Sequence, residues 1–167
     1  IKGLALIPSE DLLRIACEAR DGSWQLAHNR LWEITTMKTD AATLRMTGDR
    51  GDAMAQCKVS LLPPAAKPDQ QISLAAFQPD VPRGPEKCSG QLIESSETDT
   101  QAGHHVLRVA IRGKAKDVVI RWIYYLVADK NTGHRAVFVF DLQEDQVERF
   151  GHADLQLVNS FRFADKK

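Results

Sequence analysis

The sequence predicts an α+β fold, with an antiparallel sheet of about six or seven strands flanked by helices on both faces. Two long apolar runs, 118–128 and 136–142, are joined by the short polar turn Asp129–Gly133. Several other segments alternate between apolar and polar residues, which is the period of a half-buried strand. These candidate strands follow one another along the chain, so hairpins are favoured over alternating βαβ units.

The hairpin formed by the two apolar runs is predicted to be the centre of the sheet. A strand that is apolar at consecutive positions is buried on both faces, so helices should cover it above and below. Trp122 and Tyr124 are expected on one face, and Arg121, Ile123 and Tyr125 on the other. Core packing is the expected role of these aromatic rings, because their neighbours are aliphatic.

The N-terminal segment admits two interpretations. A helix could begin at the capping residues Ser9–Asp11 and place Leu12 and Ile15 on one face. Alternatively, residues 13–20 form a strand that turns at Asp21–Gly22 into a second strand over 24–28. The hairpin is favoured, because apolar residues recur at every second position on both sides of the turn.

Five further strands and their connections follow from alternation and turn residues. The strands are predicted over 32–36, 42–47, 55–61, 91–97 and 105–111, with a loop over 95–103 and a turn over 113–116.

Two helical regions interrupt the strands. Ser73 is a suitable cap for a short helix from Leu74 to Phe77. Three prolines bend or end that helix: Pro79, Pro82 and Pro85. After residue 142 the apolar residues recur at helical spacing, and Gly151 is expected to split this region, with a second helix from about 153 to 160.

Bulk properties exclude several classes of function. The 167 residues carry 22 basic and 22 acidic side chains, so no overall field attracts nucleic acid. No stretch approaches the roughly 20 apolar residues of a membrane-spanning helix. A single domain over 1–167 is expected, with 1–22 as a possible N-terminal extension. Since the chain begins at Ile1, we expect that upstream sequence has been removed.

Three cysteines, Cys17, Cys57 and Cys88, are too few for a disulfide framework, and their spacing matches no zinc motif. The expectation is that all three are free and mostly buried, since a free cysteine behaves as a small apolar residue. One disulfide is the alternative if the protein is exported.

The order of elements resembles the Mog1/PsbP-like fold, an α/β/α sandwich. The run RWIYYLVADKNTGHRAVFVF, followed by ERFGHADLQLVNSFRF, is similar to bacterial domains of unknown function in that group. HNRLWEI, AQCKVSLLP and SLAAFQPDV fit the same pattern, so the resemblance extends from about Trp24 to Phe163. The middle helix departs from it, because prolines follow where a longer helix is expected. The group includes a Ran-GTPase-binding protein and a photosystem II extrinsic subunit. Both are binding or assembly proteins, but neither function transfers to this chain, because fold analogy alone does not carry function.

Candidate functional residues are few. No G-x-S-x-G elbow, phosphate-binding glycine loop or metal motif occurs, so no catalytic, cofactor or metal site is predicted. His104 and His105 are adjacent on a strand and point to opposite faces, so they do not chelate one ion. Four residues are predicted as a possible interface. Trp24 and Trp32 lie among polar residues, where tryptophan is typical of binding hot spots, and Arg121 and Tyr125 share a strand face.

The sequence therefore favours a non-catalytic protein-binding or assembly module with an unknown protein partner, in an exported or envelope-associated bacterial protein. The alternative is a small-ligand or metal-binding domain, with a pocket between the sheet and segment 63–88. An enzyme is the least favoured class, because no catalytic constellation is visible.

Overall fold

The computed structural model of the chain describes residues 6–9, 12–68, 70–81 and 90–164, with side chains from residue 15 onward. Its strands form two antiparallel sheets. The large sheet contains β4 (Trp32–Met37), β5 (Ala41–Thr47), β6 (Ala53–Leu62), β7 (Gln91–Asp99), β8 (His104–Ala115), β9 (Val118–Asp129) and β10 (Arg135–Gln143). The small sheet contains β1 (Leu6–Ser9), β2 (Leu12–Glu18), β3 (Trp24–His28) and β11 (Arg162–Phe163).

The central position of the predicted hairpin is confirmed. The seven strands of the large sheet run in the order β4-β5-β6-β10-β9-β8-β7, which places β10 in the middle and β9 beside it. Strand β9 is buried at every position from Trp122 to Ala128, as a strand covered on both faces should be. Strand β10 is buried only at alternate positions, so the expectation of burial on both faces is wrong for this strand.

The reason for this difference is the small size of the helix on that face. Helix α1 (Leu74–Asp80) packs against β8 and β7. Beneath it lies a cluster of buried residues that comprises Val81, Val109, Ile111, Trp122 and Tyr124. The helix is too short to extend over the far half of the sheet, so Val137 and Val139 on β10 stay half-buried.

The opposite face of the large sheet is covered by the small sheet and by α3 (Ala153–Ser160). Phe161, at the end of α3, lies between the rings of Trp24 and Phe138, at centroid distances of 5.8 and 5.2 Å. The seven-stranded antiparallel sheet is thus confirmed, but the N-terminal hairpin belongs to a second sheet because β3 pairs with β11.

The predicted helix starts are confirmed where the sequence offers a cap or a glycine. The Ser73 hydroxyl accepts a hydrogen bond from the Ala76 amide at 3.3 Å, and α1 then runs past Phe77 to Asp80 with Pro79 in its last turn. The second region begins with a 3-10 turn (Glu144–Gln146) and α2 (Val147–Phe150). Gly151, at a φ of +55°, separates α2 from α3, whose bounds match the prediction. Pro82 and Pro85 lie outside the described residues.

Two connections between strands are shorter in the structure than the sequence predicts. Strand β7 extends to Asp99, so the predicted loop over 95–103 shrinks to residues 100–103. Because β7 is an edge strand with most side chains exposed, its polar residues fit a strand as well as a loop. Strand β8 likewise extends to Ala115, and the turn consists of Lys116 and Asp117, at φ values of +48° and +67°.

Candidate functional site

The two tryptophans of the predicted interface lie in the core. Trp24 has no exposed surface, and its indole N–H donates to the carbonyl oxygen of Thr39 at 3.0 Å. Trp32 is 4% exposed and packs edge-on against Phe140 and Phe150. Their polar sequence neighbours point to the other side of each strand, so a polar context did not mean an exposed ring. The predicted surface role of these two residues is therefore corrected to core packing.

Tyr125 is also fully buried, within a polar network under α3. Its hydroxyl donates to Asp154 Oδ2 at 2.7 Å and accepts from Arg108 Nε at 2.9 Å. Arg108 forms an ion pair with Glu94 on β7 at 2.9 Å, and Asp154 is only 2% exposed. Burial and the Asp154 carboxylate raise the pKa of the Tyr125 hydroxyl. The network satisfies these buried polar groups and ties α3 to the sheet.

Arg121 is the member of the predicted interface that reaches solvent. Its guanidinium donates to both carboxylate oxygens of Glu144, at 2.6 and 3.1 Å, and its side chain is 21% exposed. Arg112 lies directly opposite on β8, with Nε 3.7 Å from Glu144 Oε1. Lys114 follows two residues later on the same face. We call Arg112, Lys114 and Arg121 the basic strip.

A small cleft lies between segment 65–72 and strands β8 to β10, where the alternative hypothesis placed a pocket. The volume open to water is about 20 Å³, which holds a single water molecule. Two of its polar side chains are already engaged. Arg135 donates to the Pro63 carbonyl oxygen at 2.7 Å, and Gln71 to that of Pro68 at 2.6 Å.

His105, at the edge of this cleft, lies between two carboxylates of β7. Its Nδ1 is 2.9 Å from Asp99, and its Nε2 is 3.0 Å from Glu97 at an angle that does not form a hydrogen bond. His104 points the other way, toward the rings of Phe161 and Phe163. The predicted opposite orientation of the two histidines is confirmed. Within the described residues, no three His, Cys, Asp or Glu side chains converge on a metal position.

The cysteines offer no reactive nucleophile in the described part of the chain. Cys17 and Cys57 are free thiols, half-buried and fully buried respectively. Burial raises the pKa of Cys17 to about 11 and that of Cys57 well above its usual range, the latter with help from Asp141 and Asp154. At neutral pH both remain protonated, which is the unreactive form. Cys88 lies outside the described residues.

The pKa of Cys57 leads to a prediction at alkaline pH. In the unfolded chain this thiol ionises near its ordinary pKa of about 8.5, whereas the folded protein keeps the proton. The unfolded state then binds fewer protons, so Cys57 should lower the free energy of unfolding by up to about 1.4 kcal/mol per pH unit above roughly pH 9. Cys17 and Tyr125, whose pKa values are also raised, add to the decline in the same direction. Urea unfolding at a series of pH values should show this decline, with a shallower slope for Cys57→Ala.

Val59→Ala is the matched control for the alkaline slope. Val59 is buried on the same face of β6 but does not titrate. This variant should be less stable at every pH and keep the wild-type slope. An unchanged slope in Cys57→Ala would refute the assignment to Cys57.

The half of the large sheet beyond α1 leaves a solvent-facing surface. Cross-strand pairing aligns the side chains of β5, β6 and β10 there in register. Arg45 and Lys58 are exposed, and Asp141 is partly buried, which raises the pKa of its carboxyl group. We call this surface the open face; it comprises Thr43, Arg45, Gln56, Lys58, Val139 and Asp141.

Three solved structures illustrate which proteins have a fold similar to that of this chain. The Ran-binding protein Mog1p of Saccharomyces cerevisiae is 11% identical, with a TM-score of 0.62 over 93% of this chain and 97% of Mog1p. Cyanobacterial PsbP (CyanoP) from Synechocystis is 12% identical, with a TM-score of 0.60 over 89% of this chain and 91% of that protein. A protein from Bacteroides thetaiotaomicron, known from a crystal structure, is 4% identical, with a TM-score of 0.60. The similarity covers 90% of this chain and 48% of the Bacteroides chain.

The chain has the Mog1/PsbP-like fold. At these identities the likeness concerns the fold alone, as function resides in sites that differ between proteins of one fold. The sequence matches no protein-family description and no curated protein. Among the helices that the structure describes, none is long and apolar enough to cross a membrane.

Proposed function

We propose that this chain is a non-catalytic protein-binding or assembly module of an exported or envelope-associated bacterial protein. The observation that carries the proposal is the open face. Half of one side of a seven-stranded sheet presents an ordered array of polar and aliphatic side chains to solvent, with no described helix over β5 and β6. The surface of a sheet suits a protein partner better than a small molecule, which needs a concave site.

The chemistry of the described residues supports a binding role over a catalytic one. The buried Arg108–Tyr125–Asp154 network is satisfied within itself. The buried Nε2 of His105 has no hydrogen-bond partner, but the side chains that flank this ring are the carboxylates of Glu97 and Asp99 rather than a serine or cysteine nucleophile. The two described cysteines are protonated at neutral pH because burial raises the pKa of each. A protein of the same fold, Mog1p, is a Ran-binding protein, which is compatible with a binding role here. Neither nucleic acid nor a cofactor forms part of the proposal.

Crosslinking in a native bacterial extract tests the proposal. The wild-type chain should recover a partner protein under mild crosslinking, and Arg45→Glu/Lys58→Glu, which reverses two exposed charges of the open face, should not. Gln156→Glu/Leu155→Glu on α3 is the control, because both residues are exposed and lie away from the open face. Failure of the wild-type chain to recover any partner, or equal recovery by the open-face variant, contradicts the proposal. Cell fractionation tests the exported location separately.

A second candidate function is small-ligand binding in the cleft beside His105 and Arg135. The cleft lies where the sequence analysis placed a pocket, and segment 65–72 would have to move away from the sheet to admit more than water. A thermal-shift screen against metabolites and divalent cations tests it. A ligand at 100 times its dissociation constant adds about 2.7 kcal/mol to the free energy of unfolding. A saturable shift that Arg135→Gln abolishes supports this candidate, and a flat screen removes it.

A further inference from the structure

The basic strip carries cationic charge that the described residues do not balance. Arg112 and Arg121 are cross-strand neighbours, an arrangement of like charges that is unfavourable without a counter-charge. The single carboxylate of Glu144 binds Arg121 through two hydrogen bonds and lies 3.7 Å from Arg112, beyond hydrogen-bonding distance. Glu144 is therefore ion-paired with both arginines but hydrogen-bonded to Arg121 alone, and its single negative charge does not balance the three cations of the strip.

The two remaining cations of the strip face solvent. The Arg112 side chain is 54% exposed, and Lys114 is exposed on the same face of β8. No hydrogen bond from either side chain to a described residue is present. Arg121 beside them is held in place by its two hydrogen bonds to Glu144. Arg112 and Lys114 are therefore two exposed cationic donors that can bind carboxylates.

We propose that the basic strip binds an extended, acidic segment of a partner protein, with carboxylates at alternate positions. Arg112 and Lys114 are two residues apart on one strand, a separation of roughly 6.6 Å. Alternate side chains of an extended peptide have the same spacing and point the same way. Two such carboxylates can therefore meet both cations at once. This binding surface is independent of the open face, so it can exist whether or not that face binds a protein.

A protein segment fits the strip better than an anionic membrane surface. The exposed apolar residues at this end of the sheet include Leu92 and Val118, which are 38% and 40% exposed. By their strand register, both point to the opposite face from the strip. On the strip's own face, Val119 opposite Lys114 is half-buried. Ile93, in the β7 bulge, is 45% exposed, so vesicle binding, which combines basic and apolar side chains, is included as an outcome of the test below.

Titration of the isotopically labelled chain with a short peptide of alternating glutamate and serine tests the proposal. The amide and side-chain NMR signals of Arg112, Gly113 and Lys114 should shift saturably, and higher ionic strength should weaken binding. Arg112→Gln/Lys114→Gln should lower the affinity about fivefold, as expected for two exposed ion pairs. These exposed substitutions should leave the thermal unfolding transition unchanged.

Two controls make the result specific. Arg45→Gln/Lys58→Gln removes the same charge from the open face and should bind the peptide as the wild type does. A peptide of the same composition with its glutamates contiguous should bind more weakly, because adjacent side chains point to opposite sides. Equal loss of affinity in both variants, or equal binding of both peptides, overturns the proposal. So does strip-dependent sedimentation with phosphatidylglycerol-containing vesicles in the absence of peptide binding.

Discussion

Replacing Phe161 with alanine is expected to lower the free energy of unfolding by about 4 kcal/mol, the range found for buried phenylalanines. Phe161 has no exposed surface, and its ring contacts Trp24 of the small sheet and Phe138 of the large one. The substitution therefore leaves a cavity between the two sheets. A cavity there costs more than one at the surface, where neighbouring side chains can move in to fill it. Urea unfolding followed by tryptophan fluorescence and by circular dichroism measures the loss.

The control for this prediction lies on the same helix. Leu155 is 39% exposed, so Leu155→Ala should change the free energy of unfolding by less than about 0.5 kcal/mol. Phe161→Leu keeps most of the buried volume and should cost less than the alanine variant; it serves if Phe161→Ala does not fold. A loss below about 1 kcal/mol in Phe161→Ala would mean that the two sheets are not joined through this ring.

The large sheet was predictable because its information is local. Alternation along β6 and β8, consecutive apolar residues in β9 and a five-residue polar turn each appear within a short stretch of sequence. The small sheet was not predictable in the same way. Its strand β3 pairs with β11, which has two residues and joins Arg162 to Gln25 across most of the chain. Alternation predicts β3 as a strand but not its partner, because a strand of two residues is too short to show a period.

The candidate site was less predictable than the fold, for a related reason. Trp24 and Trp32 have polar neighbours in sequence, but burial depends on which side of β3 faces the large sheet and on which side of β4 faces α2. Asp154 lies in the first turn of α3, where an acidic residue is expected to favour a solvated helix start. Its burial against Tyr125, 29 residues away, follows from how α3 docks on the sheet. The face of Arg121 was predictable from alternation along β9, and its side chain is 21% exposed.

Replacing Asp154 with alanine is expected to lower the free energy of unfolding by about 3 kcal/mol, the lower end of the range for a broken buried ion pair. The Tyr125 hydroxyl, on a fully buried side chain, would lose its acceptor, and Arg108 would lose a carboxylate 3.3 Å away. The loss stays at the lower end because Arg108 is 14% exposed and keeps Glu94 at 2.9 Å. Urea unfolding at pH 7 measures it.

A double-mutant cycle with Tyr125→Phe separates the network from simple packing. Tyr125→Phe alone should cost about 1 kcal/mol, because Asp154 keeps Arg108 as a donor. In the double variant no buried hydroxyl is left without an acceptor, so the two losses should sum to more than the measured total by about 1 kcal/mol. Additive losses would mean that the hydrogen bond from Tyr125 to Asp154 contributes nothing to stability. In that case the apolar contacts of Leu157 and Val158, together with the ion pair between Arg108 and Asp154, hold α3 on the sheet without help from this hydrogen bond.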